Sequence, residues 1–154
     1  MSLVEKRIKQ ILVEKGIFFE EFEHEAVYTC EQAAAVRGLG SAGQGIKCLI
    51  FGTEMGKFIL VLNPGDKKID TKKIAKLEKV SRLFLAAPER VEKISGVPIG
   101  CVAPFGLKTT LKTYLNEELL ENEFLYFNPG DHTKTIKIRA ADLPKAIENP
   151  IRYR

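Results

Sequence analysis

Lys47 interrupts an otherwise apolar run, Ile46-Lys47-Cys48-Leu49-Ile50-Phe51. A lysine buried without a partner is costly, so its ammonium has to snorkel to solvent, pair with an acid or line a polar cavity. In a cavity it is a charged hydrogen-bond donor. Acting as a base would require strong desolvation to depress its pKa. A second unusual stretch is Gly96-Val-Pro98-Ile-Gly100-Cys-Val-Ala-Pro104-Phe-Gly106. Three glycines and two prolines in eleven residues impose special backbone angles and remove donors, while Val97, Ile99, Val102 and Phe105 supply apolar surface. Such a segment is either a kinked edge strand or a rigid loop whose backbone approaches a small ligand, and the residues alone leave both readings open.

The remaining reactive groups are Cys30, Cys48, Cys101, His24 and His132. His24 and Cys30 lie six apart and His132 is far along the chain, so no spacing assembles a zinc set and no metal is expected. An odd number of cysteines without a CxxC pair fits reduced thiols in a cytoplasmic protein. Strand alternation turns Cys48 away from whatever Lys47 faces. Core packing is the default for all three thiols, with a thiol hydrolase using Cys30, Cys48 or Cys101 as a rival reading. Gly38-Leu-Gly40-Ser-Ala-Gly43 has the letters of GxGxxG, and Gly40 to Gly45 approaches a Walker loop until Ile46 takes the lysine position. Both follow a helical pattern and precede a strand, the reverse of the order that aims N–H groups at a phosphate, and read as a flexible connector. Lys67, Lys68, Lys72, Lys73, Lys76 and Lys79 form the densest basic run, either a solvated amphipathic face or a surface for RNA backbone.

The elements that position these groups follow from periodicity and capping. Val4, Ile8, Ile11 and Leu12 predict a helix over 3–15, ended by Gly16. Ile17 to Phe22 is strand-like. Thr29 with Gln32 three residues on is a capping box for a short helix to about Arg37. Lys47 to Phe51 and Lys57 to Leu62 predict a hairpin, closed by the turn Asn63-Pro64-Gly65-Asp66. Asp70 caps a helix through Ile74, Leu77 and Val80, Leu83 to Leu85 is a short strand, and Pro88 opens a helix ending at Gly96. Gly100 to Ala103, Thr110 to Leu115, Phe124 to Phe127 and Thr135 to Ile138 read as strands, and Asp142 to Ile147 as a helical turn. Hairpin-like and helix-separated connections mix, which predicts an α+β fold: a mixed, curved, partly barrel-like sheet flanked by helices.

With 154 residues, 45% hydrophobic and 29% charged, the composition is that of a globular domain, and the absence of linkers predicts one domain over 1–154. A chain of this size buries roughly 70% of its unfolded surface and needs no disulfide or structural metal. The first residues are charged rather than apolar, so no export signal is expected, and no apolar run approaches the ~20 residues of a membrane helix. A net charge of +4 allows an anionic partner without naming one.

Several pieces fall in a familiar order: His24-Glu-Ala-Val-Tyr-Thr29 with Glu31-Gln-Ala-Ala, Lys47 in its apolar strand, and Val61-Leu-Asn-Pro-Gly65-Asp66-Lys-Lys-Ile-Asp70. The Gly96 to Gly106 segment, Phe127-Asn-Pro-Gly130 and Asp142-Leu143 follow. The set resembles the YbaK/ProX family, relatives of the editing domain inserted in bacterial prolyl-tRNA synthetase, over residues 21 to 143. The resemblance implies a YbaK-like fold and trans-acting hydrolysis of the ester of a mischarged aminoacyl-tRNA, with no cofactor and with an aminoacyl-tRNA synthetase as a further possible partner. By motif position it implies that Lys47 and Gly100 of the GxxxP loop, Gly100 to Pro104, are the functional pair. The lysine would orient the acceptor end, the glycine main chain would hold the aminoacyl group, and the terminal ribose hydroxyl would help activate water. Thr29, Val102, Pro104, Phe105 and Gly130 are the further substrate-binding candidates. Editing is needed because a synthetase pocket rejects an amino acid one methylene smaller by only ~1–3 kcal/mol. Asn116 falls where many relatives carry an aspartate, so an acidic role there would have to pass to Glu117. A non-catalytic tRNA- or synthetase-binding module of the same fold, using Lys72 and Lys76, is the alternative.

Overall fold

A computed structural model of the chain describes residues 2–27, 32, 34, 35 and 41–154. Helix α1 (Leu3–Glu14) is capped by Ser2, whose hydroxyl accepts from the Glu5 amide, and buries Val4, Ile8 and Leu12 at four-residue spacing. The Ile17 amide still bonds the Leu12 carbonyl as the helix closes, so strand β1 (Phe19–Glu23) starts two residues later than the apolar pattern suggests. The hairpin forms as expected from β2 (Ile46–Thr53) and β3 (Phe58–Pro64), with Lys47 opposite Asn63 in register. Helix α2 (Thr71–Glu78) is capped by Asp70 and ends at Lys79, a residue in the left-handed region. Strand β4 (Leu83–Leu85) and helix α3 (Pro88–Ser95), with proline in its first turn and Gly96 as its C-cap, complete the first half.

Strands β5 (Lys112–Asn116), β6 (Phe124–Phe127), β7 (Lys134–Arg139) and β8 (Ile151–Tyr153) follow. 3-10 turns at Glu117–Glu121 and Ala140–Ala146 lie between them. Two open sheets result, ordered β1-β7-β6 and β4-β2-β3-β5-β8 and joined by a bridge between Gly45 and Tyr126. The larger sheet is mixed, β3 being antiparallel to β2 and parallel to β5. The mixed α+β arrangement is therefore the expected one, built from open sheets rather than a closed barrel. One expectation fails and one strand is unexpected. Gly100 to Ala103 is an irregular loop, because Gly100 turns the chain at φ +87°, the Cys101 amide bonds back to the Pro98 carbonyl, and Pro98 and Pro104 have no N–H to donate to a ladder. Strand β8 was not foreseen, its three residues being too short to show alternation. The helix expected from Thr29 to Arg37 falls largely outside the described residues, with 32, 34 and 35 helical.

The larger sheet is covered on both faces, and this decides where Lys47 points. Ile46, Ile50, Leu60 and Leu62 face the main core with α1, β6, β7 and the loop residues Cys101, Val102, Ala103 and Phe105. Phe51, Ile59 and Val61 face a smaller cluster completed by Ile74 of α2, Tyr114 and Tyr153. Burial on both sides explains the unbroken apolar run Ile59 to Leu62.

Candidate active site

Lys47 shares its strand phase with Leu49 and Phe51, so its side chain leaves the sheet on the α2 face, while Cys48 packs against the main core as alternation requires. Lys47 is half-buried, and Nζ donates to the Lys67 carbonyl oxygen at 2.8 Å. That carbonyl also accepts from Asn63 Nδ2 at 3.0 Å. Asn63 is 1% exposed, and its Oδ1 accepts from Asn116 Nδ2 at 2.7 Å and from the Tyr153 hydroxyl at 3.0 Å. Burial pushes the Tyr153 hydroxyl up to about 12, which keeps it a donor. Asn116 Oδ1 in turn accepts from the Glu118 amide. A carboxylate at position 116 could not donate to Asn63, so the neutral amide is what this network requires. Lys67 itself pairs with Glu118 at 2.7 Å. The half-buried ammonium of Lys47 is thus held by a neutral carbonyl on a turn that a buried amide network fixes, and its charge is not spent on that partner.

The second group of residues surrounds Gly100. With φ at +87° this exposed position favours glycine, and a Cβ would stand 3.1 Å from His132 Cε1. His132 Nδ1 lies 2.8 Å from the Val27 carbonyl, and the Val27 amide donates to the His132 carbonyl at 3.0 Å. Because a carbonyl only accepts, Nδ1 carries the proton in this bond. The turn leading to His132 is shaped by Asn128, whose Oδ1 accepts from the Gly130 and Asp131 amides at 3.0 and 2.7 Å. Gly130, at φ +92°, lets this turn close on the Gly100 loop: a Cβ there would sit 2.9 Å from Val97 Cγ1. Hydrogen bonds from the Thr133 hydroxyl and amide hold the Asp131 carboxyl below its usual range.

The candidate residues therefore fall in two places. Gly100 and Gly130 are brought together through Val97 and His132, whereas among the described residues no hydrogen bond or ion pair ties Lys47 to that loop. Val102 and Phe105 are core residues, 8% and 6% exposed, with Phe105 set edge-on to Phe127 at 5.3 Å. Pro104 and Phe105 also line a cleft of about 840 Å³ beside Arg7 and Ile11 of α1, but neither Lys47 nor Gly100 lies in it. Thr29 and Cys30 lie outside the described residues. The Cys101 thiol is 1% exposed, and burial together with the Asp131 charge pushes it up to about 11, against the pull of the His132 amide. It is a neutral core thiol at physiological pH and a poor nucleophile. Among the described residues no three His, Cys, Asp or Glu side chains cluster as metal ligands, and no helix is long and apolar enough to cross a membrane. Sequence reasoning considered His132 only as a remote histidine and missed its contact with Gly100, 32 positions away. It also read Asn63 only as a turn residue, although an asparagine ending a fully apolar strand was a signal that its amide would be buried and bonded.

The family model described as the aminoacyl-tRNA editing domain matches residues 24–146, a span that holds Lys47, Gly100 and His132. The proline–tRNA ligase of Caldicellulosiruptor bescii is 32% identical over 115 residues, which cover 73% of this chain but 19% of the ligase, so the chain spans less than a fifth of that relative. The prolyl-tRNA editing protein ProX of Acetoanaerobium sticklandii is 25% identical over 142 residues, covering 89% of this chain and 86% of ProX. A crystal structure described as a candidate trans-editing enzyme for prolyl tRNA synthetase superposes with a TM-score of 0.84 at 29% identity, covering 99% of this chain and 96% of that one. With 123 of its residues matched by that model, the chain belongs to the aminoacyl-tRNA editing domain family.

Proposed function

We propose that the protein is a trans-acting deacylase that hydrolyses the ester between a wrong amino acid and its tRNA. The observation that carries this reading is the near end-to-end match to free-standing relatives, 86% of ProX and 96% of the trans-editing structure, rather than to a segment of a ligase alone. Water adds to the ester carbonyl carbon, the bond from that carbon to the ribose oxygen breaks, and the proton lost by water ends on the ribose oxygen. Lys47 acts as a cationic donor to the acceptor end or to the developing oxyanion, and its neutral partner leaves its charge available for either task. The Gly100 main chain holds the aminoacyl group, and His132, packed against that glycine and oriented by Val27, borders the same position. Val102, Pro104, Phe105 and Gly130 act by fixing the shape of the loop, and Thr29 remains a substrate-binding candidate.

The terminal ribose hydroxyl of the substrate assists in activating water. Support for this substrate-assisted step comes from the Cys101 thiol, which is neutral and buried and so is a poor nucleophile and no base. An ester is already activated, so placing water and stabilising one charge accounts for much of the rate. The test is a panel of mischarged tRNAs incubated with the protein. Faster ester loss than in buffer on at least one member supports the reading. Binding without ester loss on every member assigns the chain to the non-catalytic module instead.

A further inference from the structure

The sequence from Asp66 to Lys79 holds six lysines against three carboxylates, so most of the chain's net charge of +4 resides in the turn before α2 and in α2 itself. Two of the three acids are engaged within the fold, and Asp66 acts on neighbouring Lys67. Asp70 is used as the helix cap, where its Oδ1 accepts from the Lys73 amide. Glu78 turns inward, paired with Lys112 at 2.9 Å and accepting from the Tyr114 hydroxyl at 2.5 Å. Of the lysines, Lys67 pairs with Glu118, and Lys73 donates to the Arg154 carbonyl. Lys68, Lys72, Lys76 and Lys79 are exposed, and among the described residues none of them takes part in an ion pair. Ile74 and Ala75 bury the opposite side of the helix, which places Lys72 and Lys76 on its outer face, separated by a rise of about 6 Å.

This basic track has a direction. Helix α2 lies on the face of the sheet from which Lys47 projects, and the turn between them is joined to Lys47 by the bond from its Nζ to the Lys67 carbonyl. The track therefore runs from Lys47 through Lys68 to Lys72 and Lys76. We infer that this outer face of α2 is the surface on which the phosphate backbone of a tRNA acceptor stem docks. Exposed lysines in a row, with no aromatic residue in α2 for base stacking, suit sequence-independent contact with a duplex backbone. Leu77, 47% exposed, is the only large apolar side chain that α2 exposes, too little for a membrane face or the apolar centre of a protein interface. The inference rests on the deacylase reading for the identity of the RNA, while the binding experiment stands apart from catalysis.

Fluorescence anisotropy of uncharged tRNA, titrated with protein between 50 and 200 mM KCl, measures the slope of log Kd against log salt. Each phosphate contact in a duplex contributes about 0.9 to that slope, so Lys72→Ala with Lys76→Ala should reduce its magnitude by nearly 2. At 100 mM salt Kd should rise about tenfold or more. Lys72→Arg with Lys76→Arg should restore both, and the control pair Lys6→Ala with Lys93→Ala, two exposed lysines on α1 and α3, should change neither. On a mischarged tRNA that the wild type deacylates, the alanine pair should raise KM and spare kcat, and an aminoacylated CCA trinucleotide lacking the stem should be cleaved equally by both. An unchanged slope, or an equal fall in the control pair, overturns the surface. Wild-type binding with the expected slope but no ester loss on any tRNA overturns the deacylase reading and leaves the surface standing.

Discussion

Replacing Asn63 by alanine should be among the most damaging single changes outside the apolar core, because its amide is the hub of the network beneath Lys47. Three hydrogen bonds vanish: the donation to Lys67 at 3.0 Å and the acceptances from Asn116 at 2.7 Å and Tyr153 at 3.0 Å. They differ in what they leave behind. The Lys67 carbonyl keeps the Lys47 ammonium, and the Tyr153 hydroxyl keeps a longer contact to the Leu62 carbonyl at 3.4 Å, so each loss costs about 0.5–1.5 kcal/mol. The Asn116 amide, on a residue 8% exposed, is left without its acceptor at about 1–3 kcal/mol. A total near 4 kcal/mol is expected, a large share of the 5–15 kcal/mol that typically holds a domain folded. With an m-value of about 2 kcal/mol/M, the urea midpoint should fall by about 2 M at unchanged m. Tyr153→Phe provides the internal check: it should cost about 1 kcal/mol in the wild type and less in the Asn63→Ala background, where only the longer contact to the Leu62 carbonyl is left. A cost below about 1 kcal/mol for Asn63→Ala, or an equal cost of Tyr153→Phe in both backgrounds, would refute the network.

Gly100→Ala should lower stability by more than about 1 kcal/mol, because a side chain at φ +87° is strained and its Cβ meets the His132 ring at 3.1 Å. Thermal melts together with the His132 imidazole resonances check this, and an unshifted ring would contradict the contact. Glu5 is 2% exposed and paired with Lys9 at 3.2 Å and Lys134 at 3.0 Å. Burial alone would raise its pKa, but hydrogen bonds from Lys134 and Lys9 outweigh burial and hold it below the usual range. A depressed folded-state pKa gives stability that is present above the ordinary value of 4.5 and is lost as pH falls through the folded value. Glu5→Gln should therefore be less stable than wild type at pH 7 by about 2 kcal/mol, with the gap narrowing below pH 4.5 in urea titrations.

The elements with repeated local signals were legible in the sequence: α1 from its four-residue spacing, the β2–β3 hairpin from two apolar runs, and α2 and α3 from Asp70 and Pro88. The Gly96 to Gly106 segment was recognisable as special, yet its strand reading failed because apolar side chains pack equally well on an irregular loop once prolines and a positive φ exclude a ladder. Lys47 was singled out correctly as a strand cation, and alternation gave the opposite orientation of Cys48. Sequence spacing could not supply the partners, since Asn63, Asn116 and Tyr153 meet only after β3, β5 and β8 pair in parallel, a non-local arrangement. The His132 contact with Gly100 was invisible for the same reason: it exists only when the turn after β6 closes on the loop after α3. The charge of α2 was readable, but which acids neutralise it was a tertiary fact.

Lys47 is proposed to serve ester hydrolysis rather than folding. Single-turnover deacylation of a mischarged tRNA by wild type and Lys47→Ala, at saturating protein and with urea midpoints measured on both, separates the two roles. The expected result is a rate loss of about 10²–10³-fold in a variant whose midpoint stays close to that of the wild type. A folded Lys47→Ala protein that cleaves the ester as fast as the wild type would contradict it.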